Sequence, residues 1–507
     1  MRSESALKNF ITGLVPFLIL LVLGFWKLNV WQRTMDESVY ALNQLFFQIF
    51  AYLSLGEISI GTLAQKEYYR LLSEKNQDEI RIYYTLSRRM FRQMALLIAI
   101  LGVGVSFFLP LLSKGSTLSS GYMKELFYLF LAKSLVGFVM FSPRYVLQAD
   151  QKMYKINAQW MGYRIAEALL ETLMIQAGFH LEHVMVLSFC LRIVMYWHLD
   201  MRIFREYPWL KPVKNTQGYR LQGFGHAMVN RLVATVYENT DIILISAFVN
   251  PFSVVVYSNY KYITKYLYDL VYNLESAVTS GLGSILYSDS KTDARMKYEM
   301  VSTLFCYIAC WITVVLLACM NPFIRTWVGE SKVFEPFCFL AIVFLSFHTL
   351  IMRPLNVLKE IFALYKEMQT IAIVETVINL GLSVALIIPF GMKGVLGATI
   401  IALFATNFWY FPVVLYRKVF DYTPWLHFFK YGFSLGVTAV LGLLTWWLYP
   451  SISSAGYAMW FLTTAVYAVL AAVVLGALFA WRFRSFRELG SRGKQLVRKV
   501  SQKGKSH

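Results

Sequence analysis

Apolar stretches of about 18 to 25 residues recur along this chain from one end to the other. Each is long enough to cross roughly 30 Å of hydrocarbon as a helix. Fourteen such spans lie at approximately 9–28, 39–64, 93–113, 125–148, 157–178, 183–201, 227–249, 252–286, 299–320, 335–357, 370–389, 394–415, 431–449 and 457–481. With 57% hydrophobic and 15% charged residues over 507 positions, the composition departs from that of soluble domains in the same direction. The expected fold class is therefore an all-α polytopic membrane protein. The first stretch, "NFITGLVPFLILLVLGFW", has no small-residue cleavage site and is followed by further spans, so it reads as retained, not as a signal peptide.

Charge fixes the orientation. With the N-terminus placed in the cytoplasm, 33 of the 48 Lys and Arg residues fall in loops and tails on that side, and both termini are cytoplasmic. Much of the formal charge of +19 thus faces the inner leaflet, notably at "RRMFRQ" and in the tail "RFRSFRELGSRGKQLVRKVSQKGK". Anionic membrane lipids suffice as partners for this charge, and no nucleic acid is expected. The five cysteines all fall in apolar stretches without a CxxC pair or a His/Cys cluster. They read as buried, reduced packing residues, with no metal and no cofactor.

Two segments are written twice. In "PRYVLQADQKMYK" (143–155) and "PLNVLKEIFALYK" (354–366), Pro143, Val146, Leu147, Tyr154 and Lys155 align without a gap with Pro354, Val357, Leu358, Tyr365 and Lys366. In "RIFREYPWLK" (202–211) and "KVFDYTPWLH" (418–427), Phe204, Pro208, Trp209 and Leu210 match Phe420, Pro424, Trp425 and Leu426. Both pairs imply a repeat of six spans. The chain then divides into an N-lobe at 1–201, a basic cytoplasmic linker at 202–226 and a C-lobe at 227–416. A segment at 417–481 carries spans 13 and 14, and a basic tail occupies 482–507. Parallel six-helix lobes are the pattern of transporters that rock two halves about a central site. A duplicated scaffold without transport is the competing reading.

Charges inside the spans support transport, because each would cost roughly 2.5–3.5 kcal/mol if it faced lipid at a helix centre. On span 8, Lys261, Lys265, Asp269 and Glu275 form one polar stripe at helical spacing, flanked by tyrosines that include Tyr257 and Tyr260. Lys261, Lys265, Lys133 and Arg192 are the deep cations expected to meet an anionic ligand. Arg144, Arg164, Arg231 and Arg353 serve either the ligand or the structure, and Arg144 and Arg353 lie near enough to the cytoplasmic face to snorkel. Arg164, Glu167 and Glu171 on span 5 also read as an internal ion pair. Glu57, Glu275, Asp269, Asp241 and Glu375 are the carboxylates available for ion coupling. No phosphate loop, HExxH or GxSxG is present and the external loops are short, so the chain is not expected to be an enzyme. The acidic pair in "MDES" (35–38) reads as a solvated turn.

Three stretches carry a resemblance: "LSLGEISIGTLAQKEYYRLLSEKNQDEIRIYY", "NTDIILISAFVNPFSVVVYSNYKYI" and "VETVINLGLSVALIIPFGMKGVLGATI". They resemble the polysaccharide-export (Wzx-type) flippases of the multidrug/oligosaccharidyl-lipid/polysaccharide exporter (MOP) superfamily, over most of positions 5–420. The two further spans echo the fourteen-span lipid II flippases. The resemblance implies a multi-pass protein of a bacterial plasma membrane. It would carry an undecaprenyl-diphosphate-linked oligosaccharide to the outer leaflet by alternating access for cell-surface polysaccharide assembly. H+ or Na+, a polysaccharide polymerase and glycosyltransferases are implied partners. A drug/cation antiporter of the same superfamily, a membrane enzyme of polysaccharide synthesis and a scaffold remain as alternatives.

Overall fold

A computed structural model of the chain describes residues 2–140, 143–221, 224–288, 290–448 and 456–491. Among these residues there are nineteen α-helices, one short 3-10 turn and no strand. The basic tail beyond residue 491 lies outside the described residues. The chain divides into two compact units, one ending at Val255 and the other beginning at Val256.

The first unit holds α1 (Arg2–Thr34), α2 (Glu37–Leu53), α3 (Leu55–Ser73), α4 (Gln77–Ser106), α5 (Leu109–Leu112), α6 (Ser120–Met140), α7 (Arg144–Ala149), α8 (Tyr154–Gln176), α9 (Leu181–Glu206) and α10 (Phe224–Phe248). Helix α1 packs along α8, α6 along α9, and α4 between α3 and α6. Helix α10, which the repeat assigns to the C-lobe, packs on α2 and α3. The acidic turn at 35–38 has a structural role: Asp36 caps α2 by accepting a hydrogen bond from the Ser38 amide at 2.8 Å. Span 2 is not one straight helix, since α2 and α3 meet at Ser54 with a bend of 43°.

The second unit holds α11 (Pro251–Ser288), which begins just before the boundary, then α12 (Lys291–Val328), α13 (Pro336–Ile351), α14 (Arg353–Ile361), α15 (Tyr365–Phe390), α16 (Met392–Ala405), α17 (Asn407–Phe420), α18 (Trp425–Leu448) and α19 (Tyr457–Arg482). Its centre is α12, packed by α13, α17, α18 and α19. Phe305, Cys306, Ala309 and Cys310 of α12 enter one apolar core with Phe347, Leu415, Tyr431, Leu475 and Phe479. Spans 13 and 14 are thus built into this unit through α12. Helices α15 and α16 form a tight hairpin. It turns at Gly391 (φ +56°), and a Cβ on Gly394 would lie 2.1 Å from the Leu386 carbonyl oxygen, so only glycine permits this approach.

Among the described residues eight segments are long and apolar enough to cross a membrane, two of them formed by α13 with α14 and by α16 with α17, or nine if α2 and α3 count as one bent span. Helices α6, α8, α10 and α11 are not among them, and these carry many of the charges expected inside the membrane, among them Lys133, Glu167, Glu171, Asp241, Lys261, Lys265 and Glu275. Four of the five cysteines are buried and none is bridged. Cys190 departs from expectation: it is exposed on α9, because an apolar stretch of a membrane helix need not face the protein's own core.

Candidate transport site

The first repeated segment gives the same local structure in both units. Pro143 precedes α7 and Pro354 opens α14, positions where a proline's missing N–H costs nothing. A left-handed residue follows each short helix, Gln151 and Ala363, before Tyr154 and Tyr365 begin the next long helices. Each short helix starts with an arginine, and each arginine meets a carboxylate of the corresponding earlier span. Arg144 Nη2 lies 3.2 Å from Glu57 Oε1 of α3, and Arg353 Nη1 lies 2.9 Å from Glu275 Oε2 of α11. The glycine at 61 makes the first contact possible. A Cβ there would lie 2.2 Å from the Tyr145 ring, and the Tyr145 hydroxyl accepts from Arg144 at 2.8 Å.

The second repeated segment closes on the first in each unit. Lys155 bonds Glu206 at 2.6 Å and Tyr207 donates to Asp150 at 2.6 Å. In the second unit Lys418 bonds Glu367 at 2.7 Å. The two matched stretches are therefore neighbours in space, tied by ion pairs of opposite polarity.

A separate charge network fills the first unit between α1, α6, α8 and α9. Lys133 Nζ lies 2.8 Å from Glu171 and 3.3 Å from Glu167, while Arg192 Nε lies 3.1 Å from Glu167. Lys27 and Ser188 also donate to Glu171, which is buried. Three cations around two carboxylates leave the cluster cationic overall. Arg164, expected to share this pair on the same helix, is exposed instead, because only Glu167 and Glu171 face α6 and α9. Lys27 escaped the sequence reading: it is 144 residues from Glu171 and sits at the end of an apolar span, where it resembles a snorkelling anchor.

On α11, Lys261 is partly buried with its ammonium 5.6 Å from the Tyr257 ring centroid, and Lys265 one turn later is exposed. Asp269 is partly buried on the same stripe and Glu275 is engaged by Arg353. Among the described residues no acidic partner of Lys265 is found. Tyr260 is fully buried: it donates to Asn321 at 2.5 Å, accepts from the Phe334 amide at 2.9 Å and stacks on the Phe334 ring at 3.9 Å. Its neighbours make it a core residue of the second unit. Tyr262 and Tyr266 pair through their hydroxyls at 3.2 Å.

Polar side chains also gather where α15, α16 and α17 meet. Glu375 is buried on α15 and accepts from Asn407. One turn on, Asn379 accepts from Ser383 at 2.9 Å and from Thr399 at 3.4 Å. Helix α16 ends at Ala405 and α17 begins at Asn407, so the break at Thr406 brings Asn407 to the carboxylate. The sequence singled out Glu375 but not its neutral partners, which carry no charge signal. Asp241 on α10 is buried in the first unit, one residue from Thr240, whose hydroxyl lies 2.5 Å from that of Tyr52. Arg231, on the same helix, is partly buried. Among the described residues no group of three His, Cys, Asp or Glu is placed to hold a metal.

No family model and no curated protein matches the sequence. Solved structures do. The structure described as a lipid II flippase MurJ in an inward closed conformation has a TM-score of 0.66 at 16% identity, covering 96% of this chain and 99% of that one. A multidrug resistance MATE family transporter of the MOP superfamily, inward-facing, has a TM-score of 0.57 at 12% identity, covering 86% of this chain and 98% of that one. A Vibrio cholerae MATE transporter, VcmN, has a TM-score of 0.54 at 12% identity, covering 82% and 97%. The chain is thus a multi-pass membrane protein with the fold of the MOP-superfamily transporters.

Proposed function

We propose that this protein is a flippase of the MOP superfamily that moves a lipid-linked oligosaccharide diphosphate from the cytoplasmic to the outer leaflet by alternating access. The observation that carries this reading is the extent of the fold likeness. The lipid II flippase structure covers 96% of this chain, whereas the two MATE transporter structures cover 82–86%. A lipid diphosphate needs cations that are not already neutralised. Lys265, with no acidic partner among the described residues, is the first candidate; the cluster of Lys27, Lys133 and Arg192, three cations around the two carboxylates Glu167 and Glu171, is the second. Glu375 with Asn379, Ser383 and Thr399 offers oxygen ligands suited to a coupling cation such as Na+.

Moving a group of charge about −2 outward is favoured by roughly 4–5 kcal/mol at an inside-negative potential of 100 mV. Potential alone can therefore drive the step. Flipping of a fluorescent lipid diphosphate in proteoliposomes should respond to a potential jump, and Lys261→Gln/Lys265→Gln should abolish it. Flipping that ignores both the potential and the double substitution would overturn the proposal. A response to a Na+ or pH jump that is lost in Glu375→Gln would assign coupling to α15. In cells, the lysine variant should accumulate lipid-linked repeat units on the cytoplasmic side and lose surface polysaccharide.

A further inference from the structure

One face of α4 carries a cationic recess that the transport reading leaves unused. Thr85, Arg88, Arg89, Arg92, Gln93 and Leu96 recur at steps of three and four residues, and with Pro212 they line a cavity of about 360 Å³. Its opposite wall is held in place by the segment after α9. The Val213 amide donates to Thr85 Oγ1 at 2.9 Å, Arg81 Nε donates to the Lys211 carbonyl at 3.2 Å, and the Tyr83 and Tyr219 rings meet edge to face at 5.6 Å. Among the described residues Arg89 and Arg92 have no ion pair or hydrogen bond, and Asp200 is the acid that acts on Arg88. Of the three guanidinium groups only Arg88 has an acidic neighbour, so the recess keeps an excess of positive charge.

The same face then turns apolar. Leu96, Ile100, Val103 and Phe107 are 64%, 62%, 46% and 64% exposed. From Leu96 to Phe107 the helix rises about 17 Å, close to the thickness of half a hydrocarbon core. Cations at one end and a leaflet-length apolar track at the other match the shape of a phospholipid.

We infer that this face of α4 binds an anionic glycerophospholipid of the cytoplasmic leaflet, its phosphate among Arg88, Arg89 and Arg92 and an acyl chain along Leu96 to Phe107. Arginine suits the role because its planar fork takes two phosphate oxygens at once. The inference is independent of the transported substrate and rests on the orientation that the basic loops impose.

Native mass spectrometry of the full chain from phosphatidylglycerol nanodiscs tests it. Wild type should retain one tightly held phosphatidylglycerol, and Arg88→Gln/Arg89→Gln/Arg92→Gln should weaken that lipid roughly a hundredfold, at about fivefold per cation. Arg492→Gln/Lys494→Gln/Arg498→Gln in the tail removes equal charge and should leave the lipid bound. Equal losses in both variants, or none in either, would overturn the site. Leu96→Gln/Ile100→Gln should also reduce retention. If glycerol-1-phosphate displaced the lipid at equal concentration, the acyl track would be refuted and only a phosphate site would remain. A lysine triple variant that keeps the lipid would show that the glutamine variant failed through charge and not through misfolding.

Discussion

The anchors at Arg144 and Arg353 are the same device built in two environments. Both place an arginine at the start of a short helix, and both bond a glutamate of the corresponding earlier span, Glu57 on α3 and Glu275 on α11. The first is the more exposed: Arg144 and Glu57 side chains are 20% and 30% exposed, and the guanidinium also faces the Tyr145 and Trp160 rings. The second is more buried, at 15% and 2%. Burial strengthens attraction and raises the penalty for losing a partner together, so the more buried copy should be the structural one and the more exposed copy the one able to open.

Arg353→Gln should have the largest effect, because it strands the Glu275 carboxylate. A loss of about 3–5 kcal/mol is expected, read as a fall in the detergent-phase Tm. Arg144→Gln should cost clearly less. Equal losses would break the comparison. The exchange Glu275→Arg/Arg353→Glu should recover part of the loss if the pair itself, not the local packing, is responsible.

Gly61→Ala comes next. The added methyl must displace the Tyr145 ring, an overpacking cost of about 1–3 kcal/mol, and with it the bond from Arg144. Gly61→Ala/Tyr145→Phe removes only the hydroxyl and should not restore the wild-type Tm, whereas Gly61→Ala/Tyr145→Ala should restore part of it. The smallest effects belong to the exposed ties between the repeated segments. Lys155→Gln and Lys418→Gln should each shift stability by less than about 1 kcal/mol and lose even that in high salt.

The buried Lys430–Glu299 pair sharpens the contrast between the units. Lys430 bonds Glu299 at 2.5 Å, and Tyr416 donates to the same carboxylate at 2.9 Å. The pair links α18 to α12, which explains how a helix beyond the repeat becomes part of the second unit. Lys430→Met should destabilise this unit, and Lys430→Met/Glu299→Leu should recover much of the loss, measured by thermal unfolding.

The all-helical, membrane-spanning class was legible in the chain itself. Lipid demands long apolar helices, and the inner leaflet collects lysine and arginine, so both signals are local and survive in a linear reading. The two repeated segments were legible as markers for the same reason: a proline, a left-handed turn and a new helix start are short-range features. The partners were not. Lys27 with Glu171, Arg353 with Glu275 and Lys430 with Glu299 join residues 78 to 144 positions apart. No periodicity records which carboxylate a buried cation will meet. Helix packing alone decided that Lys133 and Arg192 share Glu167, that Arg164 faces outward, and that Tyr260 belongs to the core. Sequence determined that charges would be held inside the membrane, because composition sets their number. Tertiary structure determined which of them are neutralised, because that depends on which helix faces come together.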